Sequence, residues 1–236
     1  MVRDIRTVAS TASTNDDVAA LAIAGEAESL WLRADTQTGG RGRQGRPWVS
    51  PPGNLYASTL VRIRPGDPSA PGLALVAAVA LEQVASAYAG DTRIQLKWPN
   101  DLLLDGAKLS GILLERHGDA VVIGIGVNLA HHPEQVERPA MSLVAAGIAA
   151  PDPGLFLADL AVSFAHWLAR WRAEGLAPVR GRWLARAHPP GTPLAARTAD
   201  GSETVGLFDG LDADGALLLR TGEGVRVIHA ADVFLI

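Results

Sequence analysis

The sequence predicts an α+β fold: a mixed β-sheet packed with helices, followed by a small C-terminal β-barrel. Three observations carry that expectation. Short apolar runs separated by tight-turn signals crowd into residues 93–129, as adjacent strands of one sheet do. Two long helical patterns, at residues 71–88 and 152–175, are available to cover that sheet. Beyond His188-Pro189-Pro190-Gly191, about five short strands are punctuated by Asp200-Gly201, Asp214-Gly215 and Gly222-Glu223-Gly224. Residues 1–187 are therefore expected to form the main domain. Residues 188–236 should form a barrel that depends on it, because so short a segment buries little core alone.

Taken in order, residues 3–9 carry too little pattern to assign. A helix should start within Ser13–Asp17, where Thr14 followed by Asp17 resembles a capping box, and end at Gly25. Residues 29–34 read as a strand, and residues 53–63 alternate as another after the Pro51-Pro52-Gly53 turn. The helix from Pro71 to Tyr88 is apolar around much of its surface, as a helix buried against a sheet would be. Three strands follow at residues 93–98, 101–104 and 107–115, with Asp105-Gly106 as a hairpin turn. After His117-Gly118-Asp119 a strand at 120–129 is apolar on both faces except at Gly124, Gly126 and Asn128. Glycine inside a strand often marks close approach by a ligand or another backbone. Residues 130–140 read as a mobile polar loop. Leu157, Leu160, Phe164, Leu168 and Trp171 recur at helical spacing in the helix at 152–175, and a shorter helix spans 177–187.

Composition excludes several function classes. The 236 residues are 48% hydrophobic and 19% charged, the balance of an ordinary globular protein. The absence of cysteine excludes disulfides, zinc–thiolate sites and thiol nucleophiles. A net charge of −4 argues against broad nucleic-acid binding. Residues 1–13 lack a signal-peptide core, and the most apolar run, 73–84, is interrupted by Glu82 and Gln83 and is too short to span a membrane. A cytoplasmic protein without membrane association is expected. His131-His132 is not expected to ligate a metal, having no spaced partner.

The stretch from Asp35 to Trp48 carries the chemistry. Gly40, Gly42 and Gly45 alternate with Arg41, Arg43 and Arg46. Glycines let backbone amides approach an anion, and guanidinium groups suit phosphate or carboxylate oxygens. Pro47, Pro51 and Pro52 prevent the helix that a dinucleotide fingerprint requires. Only Lys97 and Lys108 among the 21 basic residues are lysines, and the asparagines are Asn15, Asn54, Asn100 and Asn128. Lysine in an arginine-dominated chain marks places where a compact point charge is wanted. The two lysines, Asn100, Asp101 and Asn128 lie on adjacent β segments, placing a polar cluster on one sheet.

Four motifs thus stand in order: STN at 13–15, GGRGRQGRPW at 39–48, KWPND at 97–101 with KLSGILLE at 108–115, and GIGVNL at 124–129. Together they resemble the biotin protein ligases, which make biotinyl-adenylate from biotin and ATP and then biotinylate a lysine of a carrier protein. The resemblance continues through EGLAPVRGRW at 174–183 and the C-terminal segment. It implies the class II aminoacyl-tRNA-synthetase-like biotin–lipoate ligase fold with an SH3-like barrel. By position, Ser13, Thr14, Gln37 and the backbone near Gly40 and Arg41 would bind the ureido ring of biotin, with Asn15, Gly111 and Gly126 in the same subsite. Trp48 would wall the pocket on both the biotin and the nucleotide side. Arg43 and Lys108 would be catalytic, Arg43 on the activated carboxyl-phosphate group and Lys108 on the biotin carboxylate and α-phosphate. Asn100, Asp101, Asn128 and Arg46 would hold the nucleotide. ATP, with magnesium, and a biotin carboxyl carrier protein are the implied cofactor and partner. No metal motif is present in the sequence.

Some family members carry an N-terminal helix-turn-helix that represses DNA. Only 12 residues precede Ser13, so DNA binding is not expected. Some carry an adenine-packing aromatic after the fourth motif, and none occurs here between Leu129 and Phe156. A side-by-side homodimer is known in part of the family, and no edge-strand signature decides it. The alternatives are a lipoate-protein ligase or octanoyltransferase of related fold, and a non-catalytic partner-binding protein.

Overall fold

The computed structural model describes residues 4–134 and 139–236. Its main sheet has seven strands in the order β1-β2-β3-β7-β6-β5-β4. They are β1 (Asp4–Thr11), β2 (Leu30–Gln37), β3 (Leu55–Arg62), β4 (Ile94–Lys97), β5 (Asp101–Leu104), β6 (Ala107–His117) and β7 (Ala120–Val127). β1 and β2 run parallel and the remaining neighbours antiparallel, so the sheet is mixed as expected. β1 is the strand that had no legible pattern. It is an edge strand with few buried side chains, so no alternation marks it.

Strand alternation divides the sheet into two faces. Trp31, Val61, Ile123 and Ile125 join the large core with α2 (Leu73–Ala89) and α3 (Pro153–Glu174). One residue along, Leu32, Leu60 and Val122 pack instead on Val18, Ala19 and Ala22 of α1 (Thr14–Ile23). That is why β7 reads as apolar on both faces. Continuing on the α1 side, β7 carries Gly124, which lies against Asn15 of α1, and Gly126, where α1 no longer covers the sheet and a cavity opens.

The cap of α1 differs from expectation. Ser13, not Thr14, is the N-cap, accepting from the amide of Asp16. Asp17 turns away to accept from Thr11 at 2.6 Å, and the Thr14 hydroxyl, not used as the cap, lies 2.7 Å from Ser58 Oγ. The segment from Ala70 to Ala89 is also long and apolar enough to cross a membrane, contrary to the expectation from its interrupted run. Its apolarity serves burial against the sheet and α3. The two interrupting residues are both satisfied. Glu82 is fully buried and pairs with Arg182 and Arg186, each at 2.8 Å. Gln83 accepts from Trp167 at 3.0 Å. The short helix α4 (Ala177–Leu184) ends earlier than expected, and Ala187 instead bridges to Leu96 beside β4.

The second sheet is antiparallel, ordered β11-β10-β9-β8-β12. Its strands are β8 (Pro193–Arg197), β9 (Glu203–Leu211), β10 (Leu217–Thr221), β11 (Gly224–Ile228) and β12 (Asp232–Leu235). Among the described residues no ladder closes β11 onto β12. Leu194, Phe208, Leu217 and Val233 belong to the same core as the main sheet, and Trp98 donates to the Gly215 carbonyl at 3.1 Å. Of the polar loop expected at 130–140, residues 135–138 lie outside the described residues.

His188 is buried at the junction, and burial with Lys97 nearby pushes its pKa down to about 4. The folded protein therefore keeps this ring neutral where the unfolded chain, titrating near pH 6.5, already binds a proton. Above that pH the group contributes no pH dependence, and stability is lost as pH falls toward about 4. Urea unfolding midpoints should drop across this window in the wild type, and the drop should be smaller in His188→Gln. Equal slopes in the two proteins would contradict the assignment.

Candidate active site

The sheet supplies the floor of a cavity of about 500 Å³. Tyr56, Gly126, Gly111, Asp101 and Lys97 form one transverse row, each paired with the next across five strands. Large side chains hold the ends of the row and glycines its middle, so the floor is flat where a ligand would lie. The wall opposite is the glycine–arginine loop. It is a hairpin rather than a helix: the Gly42 amide donates to the Arg46 carbonyl at 2.8 Å and the Trp48 amide to the Gly40 carbonyl at 2.9 Å. Gly45 sits at the tip with φ 69°, in the left-handed region that favours glycine.

Trp48 folds back from this hairpin onto the floor. A Cβ built on Gly126 would lie 2.6 Å from the indole, and one on Gly111 3.2 Å from it. Gly126→Ala should therefore lift the indole off the sheet. Because Trp48 sits on a loop and can yield, the stability change should stay within about 1 kcal/mol. Iodide should quench more of the tryptophan emission, and unchanged quenching would contradict the packing.

One end of the cavity is cationic. Lys108, at the start of β6, places Nζ 2.6 Å from Asp101 Oδ1 and 5.6 Å from the centre of the Trp48 ring. Lys97 Nζ lies 3.9 Å from the other Asp101 oxygen, and the two lysines thus share one buried carboxylate. Arg43 donates to Asn100 Oδ1 at 3.5 Å and to the Ala231 carbonyl at 3.2 Å, and lies 3.7 Å from Asp232 Oδ1. Arg46 pairs with the second Asp232 oxygen. Asn100 is itself fixed by donating to the Ile112 carbonyl at 2.7 Å. Asn128 donates weakly to the Lys108 carbonyl at 3.4 Å.

The other end presents uncharged donors and acceptors. Gln37 Oε1 accepts from the Thr14 amide at 2.9 Å, and Thr14 Oγ1 lies 2.7 Å from Ser58 Oγ. Gln37 Nε2 donates to Ser50 Oγ at 3.3 Å. Arg41 borders this end but is neutralised by Asp16 and Glu115 at 2.6 and 3.0 Å, and their hydrogen bonds raise its pKa further. Tyr56 donates to the Pro51 carbonyl at 2.7 Å, and burial pushes its pKa up to about 12.

Every residue assigned above to biotin or the nucleotide lines this cavity except Gly40, and Lys97, also singled out, does not line it. Gly40 sits behind the wall, where a Cβ would lie 2.8 Å from both Gln37 and the Trp48 carbonyl. It shapes the loop instead. Sequence reasoning missed Ser58, Tyr56, Glu115 and Asp232. Glu115 stood inside a recognised motif and could have been found by strand parity. Asp232 arrives from the last strand with no local signal. The lining aromatics among the described residues are Trp48 and Tyr56.

Fold and site together define an α+β protein whose main sheet and glycine hairpin enclose a cleft built to hold an anionic ligand. The family model described as the biotin/lipoate A/B protein ligase family matches residues 8–128, and the model for the biotin protein ligase C terminal domain matches residues 194–236. The biotin–acetyl-CoA-carboxylase ligase of Paracoccus denitrificans is 44% identical over 96% of this chain and 98% of its own length. The enzyme of the same description from Mycobacterium tuberculosis is 35% identical over 98% of this chain and 88% of its own. The chain belongs to the biotin/lipoate A/B protein ligase family. In fold it is similar to the biotin protein ligase of Aquifex aeolicus solved with biotin and ATP, with a TM-score of 0.88 over the whole of both chains at 24% identity.

Proposed function

We propose that this chain is a biotin protein ligase acting in two steps. The biotin carboxylate attacks the α-phosphorus of ATP, forming biotinyl-5′-AMP and releasing pyrophosphate. A lysine amine of a biotin carboxyl carrier protein then attacks the acyl carbon, forming the amide and releasing AMP. The observation that carries this reading is the polarity of this cavity. Its uncharged end offers Thr14 and Gln37 to a neutral head group, and its other end offers Lys108, Arg43 and Arg46 to anions.

The first step brings a carboxylate and a phosphate together, and their repulsion must be offset by cations already in place. Lys108 is held for that task by Asp101, which keeps it at the cavity wall. Arg43 stands across the cavity, anchored at Asn100 and at the second sheet. Magnesium fits as an ion carried in by the nucleotide phosphates. The described residues hold no group of three metal-ligating side chains, and a nucleotide-bound magnesium needs only one or two carboxylates. Asp101 is already engaged by Lys108 and Lys97, so the ion would be held mainly by the phosphates, where it would draw charge from the leaving pyrophosphate.

The uncharged end also favours biotin over lipoate. A ureido ring can add hydrogen bonds to Thr14 and Gln37 that a dithiolane ring cannot, a difference of about 1 kcal/mol per bond. Pyrophosphate exchange into ATP tests the reading. Exchange that depends on biotin supports it, exchange that depends on lipoate supports the rival ligase, and no exchange with either ligand rejects both.

A further inference from the structure

Glu115, near the end of β6, is wired into the uncharged end of the cavity. Its Oε2 accepts from Asn15 Nδ2 at 2.7 Å and from Arg41 at 3.1 Å, and its Oε1 accepts from Arg41 at 3.0 Å. Asn15 Oδ1 accepts from Ser58 Oγ at 2.7 Å, and Ser58 Oγ lies 2.7 Å from Thr14 Oγ1. Asn15, Ser58 and Thr14 are all buried. The seat of the Asn15 amide is built into the sheet, because any Cβ at Gly124 would fall 2.2 Å from Asn15 Oδ1.

Proton counting fixes the direction of this chain. An ionised carboxylate only accepts, so Asn15 must turn its NH₂ to Glu115 and its carbonyl to Ser58. The one hydroxyl proton of Ser58 goes to that carbonyl, so Ser58 must accept from Thr14. The one hydroxyl proton of Thr14 is then committed inward, and the hydroxyl meets the cavity as an acceptor. Gln37 Oε1, 3.1 Å from Thr14 Oγ1, is left with the Thr14 amide as its donor. Pinning Arg41 does not by itself require Glu115, since Asp16 already accepts two hydrogen bonds from it at 2.8 and 2.6 Å.

We infer that Glu115 is a positioning residue that sets the hydrogen-bond polarity of the head-group end, so that Thr14 presents a lone pair and selects a ligand head bearing N–H donors, such as a cyclic urea. The inference rests on the biotin reading of the same cavity. Glu115 itself touches no reacting atom.

A pair of swaps tests it. In Glu115→Gln the new NH₂ faces Arg41 in one orientation and Asn15 in the other, donor against donor. In Asn15→Asp two carboxylates face one another. Combining the two restores complementarity: the carboxylate at position 15 accepts from the amide at 115 and from Ser58, and the carbonyl at 115 remains for Arg41. Biotin affinity is read by calorimetry without nucleotide, and the KM for ATP by pyrophosphate exchange. Each single variant should raise the biotin Kd at least about tenfold, the scale of one buried polar group left unpaired. The double variant should return to within roughly threefold of wild type, with the KM for ATP moving less than about twofold throughout. Singles that bind biotin like wild type, a double variant no better than the singles, or biotin and ATP constants that worsen together would overturn the inference. Wild type that binds no biotin would instead overturn the biotin reading on which it rests.

Discussion

Replacing Lys108 with alanine should reduce the single-turnover rate of adenylate formation by about 10²- to 10³-fold, the usual scale for removing one fixed donor from a developing negative charge. Lys108→Arg should retain the fold and still lose most of that rate. The guanidinium is longer and forked, and the ammonium it replaces is held by Asp101 at 2.6 Å and beside the Trp48 ring, so the point charge would be displaced from where these groups fix it. Biotin affinity in the absence of ATP should fall less than the rate does, because the neutral head is held at the opposite end. Adenylation by Lys108→Arg at the wild-type rate would remove Lys108 from the reacting centre.

Arg43→Ala should have its largest effect on retention. Arg43 ties the glycine hairpin to Asn100, between β4 and β5, and to Ala231 and Asp232 at the start of β12, so it closes the cavity. Removing a charged hydrogen-bonding side chain of this kind should raise the dissociation rate of biotinyl-AMP by roughly a hundredfold. The adenylate should still form, and once released it should acylate lysines on bystander proteins. Stopped-flow dissociation from the variant at the wild-type rate would show that the loop closes without Arg43.

Much of this site was legible because its chemistry sits on regular elements. The glycines of β7 stood out as gaps in an apolar strand, and strand parity then placed Gly124 and Gly126 on one face. Lys108 stood out as a rare lysine just past a tight turn. Neither signal needed a long-range contact. What stayed hidden depended on pairing between distant segments. Asp232 meets Arg46 across 186 positions of sequence, and a carboxylate at the start of an ordinary strand gives no local sign of that partner. Ser58 lies in an alternating strand where a buried hydroxyl looks like any polar residue, until its partners Thr14 and Asn15 are known.

The fold shows the same division. Tight turns and helix ends were readable from local chemistry: Asp105 and Gly106 both take positive φ, and Asp152 and Gly175 bound α3. β1 was not readable, because pairing on one side only imposes little burial. At α1 the local cap signal was present, but two candidates competed for it. The hydroxyl of Thr14 is drawn to Ser58 and Gln37, and Ser13 is left to cap.

The central claim is that this cavity joins a neutral-headed carboxylic acid to AMP. The most direct measurement mixes the enzyme with biotin and ATP labelled at the α-phosphate, with no carrier protein, and identifies the bound product by mass after rapid gel filtration. The account predicts about one biotinyl-AMP per chain, with an equal amount of pyrophosphate released. Release of ADP with inorganic phosphate, or recovery of unchanged ATP beside unchanged biotin, would contradict it.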